Sequence, residues 1–316
     1  MAINRVVRAA LKALSYPDID LKKNYRIKRK LQEAISYPVP KLRYEAWDYE
    51  VLSGDHRVPV RIFHPAEGTP LGPLLLFFHG GGWVSGTIDS YNDVCASMAL
   101  LTGRRVVSVD YSLAPEHPFP AGLLDCYAVA KTLFLHPGLL GAEPEDICLI
   151  GDSAGGNLAA VVSLMARDLG EFLPSKQILL YPATHFDHSE SSPFASVREN
   201  GTDYLLTSKS ICDYMDLYLF REEDRRNPYV APLLSEDLSR QPDTLLITAQ
   251  YDPLRDEGEA YGKALAAAGN RCKVLRFDDA LHGFFSLPPS FALVKEAYRA
   301  INAFLEEEVA HAPTAE

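Results

Sequence analysis

The sequence predicts an α/β fold: a mainly parallel sheet of about eight strands flanked by helices. Two observations carry this reading. Strand-length apolar runs alternate with helix-length periodic segments along the later chain, and two of those runs, "LLLFFH" (74–79) and "ICLIG" (147–151), are apolar on both faces. Strands buried between two layers of helices have that composition, whereas half-exposed strands alternate. The totals agree, since 316 residues with 47% hydrophobic and 23% charged content suit one large soluble domain.

In chain order, strands are predicted at 45–51 ("EAWDYEV") and 58–63, both alternating in polarity, and then at 74–79. Further strands fall at 105–111 ("RVVSVDY"), 147–152 ("ICLIGD"), 177–182 ("QILLYP"), 244–250 ("TLLITAQ") and 272–277 ("CKVLRF"). Helical patterns lie between the later ones, at about 88–102, 121–135, 156–169 and 256–268, with a last helix at 291–307. Alternation of this kind implies right-handed crossovers, and in such sheets ligands bind outside the carboxyl ends of the strands.

One connection, residues 183–241, is too long to be only a crossover. Its "TDYLLTSKSICDYMDLYLF" reads as at least one helix rich in aromatic and apolar residues. Residues 1–316 are therefore read as a single domain, with a helical cap formed by about 1–43 and 183–241. The cap aromatics suit an apolar pocket, and burial against the main domain accounts for them equally well. Internal repeats, low-complexity tracts and an interdomain linker are absent from the sequence.

The net charge of -11 argues against general nucleic-acid binding, which needs a basic face. It is unevenly spread: residues 1–43 hold 11 Lys+Arg against 3 Asp+Glu, giving +8, which leaves -19 for the rest. Within this segment "INRVVRAALKAL" (3–14) has the spacing of a basic amphipathic helix, which either lies on a membrane surface or, the more common case, packs on its parent domain, here an acidic one. Arg5, Arg8 and Lys12 interrupt any signal-peptide core, and no later stretch approaches the ~20 apolar residues of a membrane span, so a cytoplasmic location without stable membrane insertion is expected. Cys95, Cys126, Cys148, Cys212 and Cys272 are odd in number and form no C-x-x-C, which points to small core hydrophobes rather than zinc or disulfides.

Three loops after strands carry chemistry. The run "ICLIGDSAGGNLAA" places Gly151, Ser153 and Gly155 in a G-x-S-x-G between a buried strand and a helix, the context of a nucleophile elbow. The helix N-terminus after Ser153 favours developing negative charge, and Ala154 N–H is the natural oxyanion donor on that side. An attacked carbonyl needs further aimed backbone donors, and "HGGGW" supplies them: Gly81 and Gly82 as donors, with Gly80 permitting the turn. Losing one such donor costs about 3 kcal/mol in the transition state, more than the ~1 kcal/mol a glycine costs in stability.

A serine nucleophile needs a base and the base needs a carboxylate. His282, in "DDALHGFF", follows the last strand and reaches the same sheet edge as Ser153. His56, His64, His136 and His311 have no such placement, and His117 sits among prolines in a turn. His185 and His188 have H-x-x-H spacing without further metal ligands in view, so no metal site is expected. In the chain order Ser, carboxylate, His, Asp252 follows a strand directly, although Asp before Pro253 is also a sound helix N-cap. Asp256 and Glu257 fall in the next helix's first turn, where the dipole accounts for them.

With "HGGGW", "VDYSLAPEHPFPA", "GDSAGGNLAA", "DPLRDEG" and "HGF" in this order over roughly residues 70–290, the sequence resembles the hormone-sensitive lipase family of α/β-hydrolases, of the bacterial carboxylesterase and acetylesterase type. The resemblance implies the α/β-hydrolase fold with a cap, Ser153, Asp252 and His282 as a triad, and Gly81, Gly82 and Ala154 as oxyanion donors. His79, Gly80, Gly151, Asp152 and Gly155 support those motifs. One departure stands out: Tyr111, Ser112 and Leu113 occupy the place of the family's common Tyr-Arg-Leu, which changes local ion pairing.

The expected activity is hydrolysis of short- to medium-chain acyl esters through an acyl-enzyme, on a small-molecule ester and without a cofactor. Amidase, deacetylase or acyltransferase activity would use the same machinery. A non-catalytic receptor should lack a triad member, and an interfacial lipase would need the basic N-terminal helix at a lipid surface. A homodimer could form if "CKVLRF" is an exposed edge strand.

Overall fold

The computed structural model describes residues 21–34, 44–65 and 73–309. Among them, one sheet contains β1 (Ala46–Ser53), β2 (His56–Phe63), β3 (Leu74–Phe78), β4 (Arg105–Val109), β5 (Ile147–Asp152), β6 (Lys176–Leu180), β7 (Asp243–Tyr251) and β8 (Cys272–Leu281). The spatial order is β1-β2-β4-β3-β5-β6-β7-β8. Gly54 and Asp55 alone join β1 to β2, so that pair is an antiparallel hairpin, and β2 also runs antiparallel to β4. The remaining neighbours are parallel, each joined through a crossover long enough to hold a helix.

The side-chain period of the strands divides the core into two layers. On β3, Leu74, Leu76 and Phe78 face α3 (Ala121–Leu135), α4 (Ala154–Leu169) and α7 (Arg255–Ala267). Leu75 and Phe77 face the opposite layer, α2 (Asn92–Thr102) and α8 (Ala292–Glu306). This is why the central strands are apolar at every position. Cys95, Cys126 and Cys148 lie in these layers as buried thiols, and burial pushes Cys95 and Cys148 up to about 12.

The predicted elements recur, with shifts at their ends that have local causes. Helix α2 begins at Asn92 rather than near 88, because Thr87 and Ser90 exchange side-chain and backbone hydrogen bonds that compete with helical pairing. Strand β8 continues past Phe277 to Leu281 across a register shift opposite Ala249 and Tyr251. The acidic pair Asp278 and Asp279 conceals that continuation in the sequence, yet it carries the chain directly to His282. "CKVLRF" does form an edge strand of the sheet, as β8.

Residues 183–241 contain α5 (Ala195–Asn200) and α6 (Ser208–Tyr218), followed by short three-ten turns at Glu222–Arg226 and Pro232–Leu234. Thr207 starts α6 with a capping box, its hydroxyl accepting Ser210 N–H while Ser210 Oγ accepts Thr207 N–H. Helix α1 (Leu21–Ala34) packs on α6, and Lys22 pairs with Asp216 and, at 3.9 Å, with Asp213. The helix expected over 3–14 lies outside the described residues. Among the described residues, no helix is long and apolar enough to cross a membrane.

Candidate active site

Strand β5 ends at Asp152, and the chain turns through Ser153 into α4. Ser153 holds φ +55° and ψ -118°, a region that non-glycine residues rarely occupy. Its N–H donates to Leu180 O at 2.8 Å and its carbonyl accepts Asn157 N–H at 3.0 Å, so the turn is fixed from both ends. The flanking glycines are required by contact. A Cβ at Gly151 would sit 2.2 Å from Gly155 O, and one at Gly155 only 1.9 Å from Phe78 O.

His282 leaves the end of β8 with Nε2 2.9 Å from Ser153 Oγ and Nδ1 2.7 Å from Asp252 Oδ2. A carboxylate only accepts, so Nδ1–H donates to Asp252 and Nε2 is left to take the hydroxyl proton. Asp252 is fully buried; its Oδ1 accepts Leu254 N–H at 2.9 Å. Asn200 Nδ2 donates to Asp252 O and Gln250 O, both at 3.1 Å, which ties α5 to this loop. The tyrosine after β6, Tyr181, packs edge-on to the imidazole at 4.9 Å between centroids. Asp252 was expected to double as the N-cap before Pro253, but α7 begins at Arg255 with Leu254 at its N-cap. The second carboxylate oxygen therefore braces a turn ahead of the helix.

The glycine loop follows β3. Gly81 (φ +124°) and Gly82 (φ +63°) lie in the left-handed half of conformational space, and Gly82 has the Tyr214 ring so close that a Cβ would come within 2.5 Å of it. Gly80, expected to permit the turn, is instead required by close approach, since a Cβ there would lie 2.7 Å from Asp152 Oδ2. Its N–H donates to Asp152 Oδ1 at 2.7 Å, and Tyr91 Oη–H donates to Oδ2 at 3.1 Å. Burial pushes the Asp152 carboxyl up to about 6, partly offset by these two donors and by the nearby His282. His79 is fully buried, stacks on Tyr111 at 4.3 Å, and has its pKa lowered by that burial. Tyr111 Oη–H also donates to His79 O at 2.7 Å. Ala154 is the first residue of α4, so its N–H has no acceptor within the helix.

Other sequence candidates go elsewhere. His188 Nε2 pairs with Glu257 Oε2 at 2.7 Å, and both side chains are fully buried. Glu257 Oε1 also accepts Thr184 N–H (2.7 Å) and His185 N–H (3.1 Å), so Glu257 anchors the start of the 183–241 segment rather than merely meeting a helix dipole. Asp256 Oδ2 accepts Ser196 N–H at 2.8 Å. His56 Nε2 lies 2.7 Å from Asp125 Oδ1, while Asp125 Oδ2 accepts Ser112 N–H at 2.9 Å. Position 112, which lacks the family's arginine, thus contributes its backbone to a buried carboxylate that a histidine also meets. His311 is outside the described residues. Sequence reasoning missed Tyr91, Tyr181, Asn200 and Tyr214; only Tyr181, directly after a parallel strand, had a position that could have signalled it.

Comparison with known proteins bears on the fold and the family. A family model described as the alpha/beta hydrolase fold matches residues 75–286. The carboxylic ester hydrolase LipN of Mycobacterium tuberculosis is 38% identical over 256 residues, 79% of this chain and 67% of its own length. An arylesterase of Saccharolobus solfataricus is 34% identical over 83% of this chain and 84% of its own. The structure of a hyperthermophilic esterase from the archaeon Pyrobaculum calidifontis superposes with a TM-score of 0.83 at 35% identity, covering 97% of this chain and 98% of that one.

Proposed function

The chain belongs to the hormone-sensitive lipase family of α/β-hydrolases and is a carboxylic ester hydrolase, and from that premise we propose that Ser153, His282 and Asp252 carry the reaction on short- to medium-chain acyl esters. The observation that supports this most is the unbroken line from Ser153 Oγ through His282 to buried Asp252, 2.9 and 2.7 Å long.

In this reading His282 Nε2 takes the Ser153 proton as Oγ attacks the ester carbonyl. Asp252 fixes the tautomer and stabilises the imidazolium that forms. The carbonyl oxygen, now an oxyanion, is met by N–H groups of Gly81, Gly82 and Ala154, aligned beforehand. The tetrahedral species collapses to a Ser153 acyl ester as His282 returns the proton to the leaving alcohol. Water deprotonated by His282 then releases the acid. Helix α1 and residues 183–241 act as the cap over this site, and α6 brings Tyr214 and Tyr218 to its wall. A cytoplasmic enzyme with β8 available for pairing into a homodimer completes the reading.

Turnover of p-nitrophenyl esters of increasing chain length tests it. Rates should be highest for acetate to hexanoate and decline for long chains without a jump at the substrate's solubility limit. A preference for dodecanoate or longer, or a jump at that limit, would replace this reading with an interfacial lipase.

A further inference from the structure

The glycine loop is held from two sides, and only one side belongs to the sheet. From below, Asp152 accepts Gly80 N–H and Tyr111 Oη–H donates to His79 O. From above, three consecutive residues each meet a helix that is not one of those packed on the sheet. Gly82 lies against the Tyr214 ring, Trp83 stacks on Tyr218 at 4.6 Å with planes 6° apart, and the carbonyl of Val84 accepts Arg29 Nε–H. Arg29 makes the widest span. Its Nη2 also donates to Ala114 O at 2.6 Å and to Glu116 Oε2 at 2.8 Å, and Ala114 N–H in turn donates to Trp83 O at 2.9 Å. Lys28, one residue earlier, holds Nζ over the Tyr214 ring, 4.7 Å from its centroid.

The loop needs holding. Gly81, Gly82 and Trp83 have φ of +124°, +63° and +59° in succession, and a buried tryptophan keeps such a conformation only where its surroundings over-determine it. A guanidinium holds several carbonyls and a carboxylate at once from one rigid planar fork of donors, a geometry that the three rotatable donors of a lysine ammonium do not reproduce. Without Arg29, the carbonyls of Val84 and Ala114 lose the donor that binds them to one another and to α1.

We propose that Arg29 is a positioning residue for the reaction, clamping loop 81–84 in the geometry that aims its N–H groups, so that α1 governs turnover through the oxyanion loop and not only by covering the pocket. This rests on the reading of Gly81 and Gly82 as oxyanion donors. A displacement of the donors by an ångström would cost about 100-fold in rate while leaving substrate binding almost untouched.

The test compares Arg29→Ala and Arg29→Lys with wild type, with Lys30→Ala as a control for an exposed cation on the same helix. Folding is checked by circular dichroism. The measured quantities are kcat and KM on p-nitrophenyl acetate and the affinity of an alkyl boronic acid, which adds to the serine and places an oxygen at the oxyanion position. The expected result is a loss of about tenfold to 100-fold in kcat, a matching loss in boronate affinity, little change in KM, and partial recovery with ethylguanidinium for Arg29→Ala. Unchanged kcat and boronate affinity, or a loss confined to KM, would overturn the proposal. Should Arg29→Ala fail to fold, Arg29→Lys decides by the same two quantities. Ser153→Ala run alongside keeps the outcomes separate: if it retains turnover, the catalytic reading itself has failed, whatever Arg29 does.

Discussion

Asp152 accepts the N–H of Gly80 at 2.7 Å, which binds the loop after β3 to the turn after β5 through one buried carboxylate. The two motifs that a reader would treat separately, "HGGGW" and "GDSAGG", are therefore one mechanical unit. The carboxylate is costly to bury, and its two donors only partly offset that cost.

Asp152 should leave a signature in the pH dependence of stability. Its folded pKa, pushed up to about 6 by burial, lies above the ~4 of an unfolded chain. The folded state then binds the proton more tightly, so ionisation lowers stability progressively as pH rises from about 4 to about 6. Asp152→Asn, of the same shape without the charge, should escape this loss. Its unfolding free energy relative to wild type, measured in urea, should rise by on the order of 3 kcal/mol between pH 4 and pH 7. A difference independent of pH would show that Asp152 does not titrate in this way.

Replacing Asp252 by Asn keeps the shape of the buried side chain but offers His282 the wrong hydrogen-bond partner. The imidazole tautomer with its lone pair toward Ser153 is no longer favoured, and kcat should fall about 10⁴-fold with KM little affected. Steady-state kinetics on one soluble ester reads this directly. A fall of only a few-fold would place the essential carboxylate elsewhere.

Gly155→Ala tests the steric account of the elbow. Its Cβ would stand 1.9 Å from Phe78 O, a contact with backbone that no rotamer change relieves. The variant should be recovered poorly, and any folded fraction should show little esterase activity, because accommodation must move β3 away from α4. Wild-type yield and activity would mean that the turn is looser than these contacts imply.

Much of this fold was legible because the central strands are buried on both faces and read as continuous apolar runs. Ser153, His282 and Asp252 were legible for a related reason: each follows a parallel strand directly, where side chains converge at the carboxyl edge. What escaped was set by tertiary contact. Tyr91 lies before a helix with nothing local to mark it, and the roles of Arg29 and Tyr214 depend on helices far along the chain from the loop they touch. Glu257 illustrates the limit well. In sequence it is an acidic residue in a helix's first turn, and only burial against Thr184, His185 and His188 gives it a different task.

Glu257→Ala should accordingly destabilise the protein more than a surface carboxylate would. It removes the acceptor of two backbone N–H groups and the buried partner of His188, and breaking such a pair costs about 3–5 kcal/mol. Thermal or urea unfolding at pH 7 measures it, with Glu190→Ala on the exposed part of the same segment as reference. Equal stability of the two variants would contradict the anchoring role.

The central claim is that Ser153 Oγ becomes acylated during turnover. Rapid acid quench of the enzyme mixed with p-nitrophenyl acetate, followed by peptide mass spectrometry, should find one acetyl group on the peptide carrying Ser153. It should be absent from Ser153→Ala and strongly reduced in His282→Ala. An acetyl group on another residue in the wild type, or p-nitrophenol release by Ser153→Ala at the wild-type rate, would contradict it.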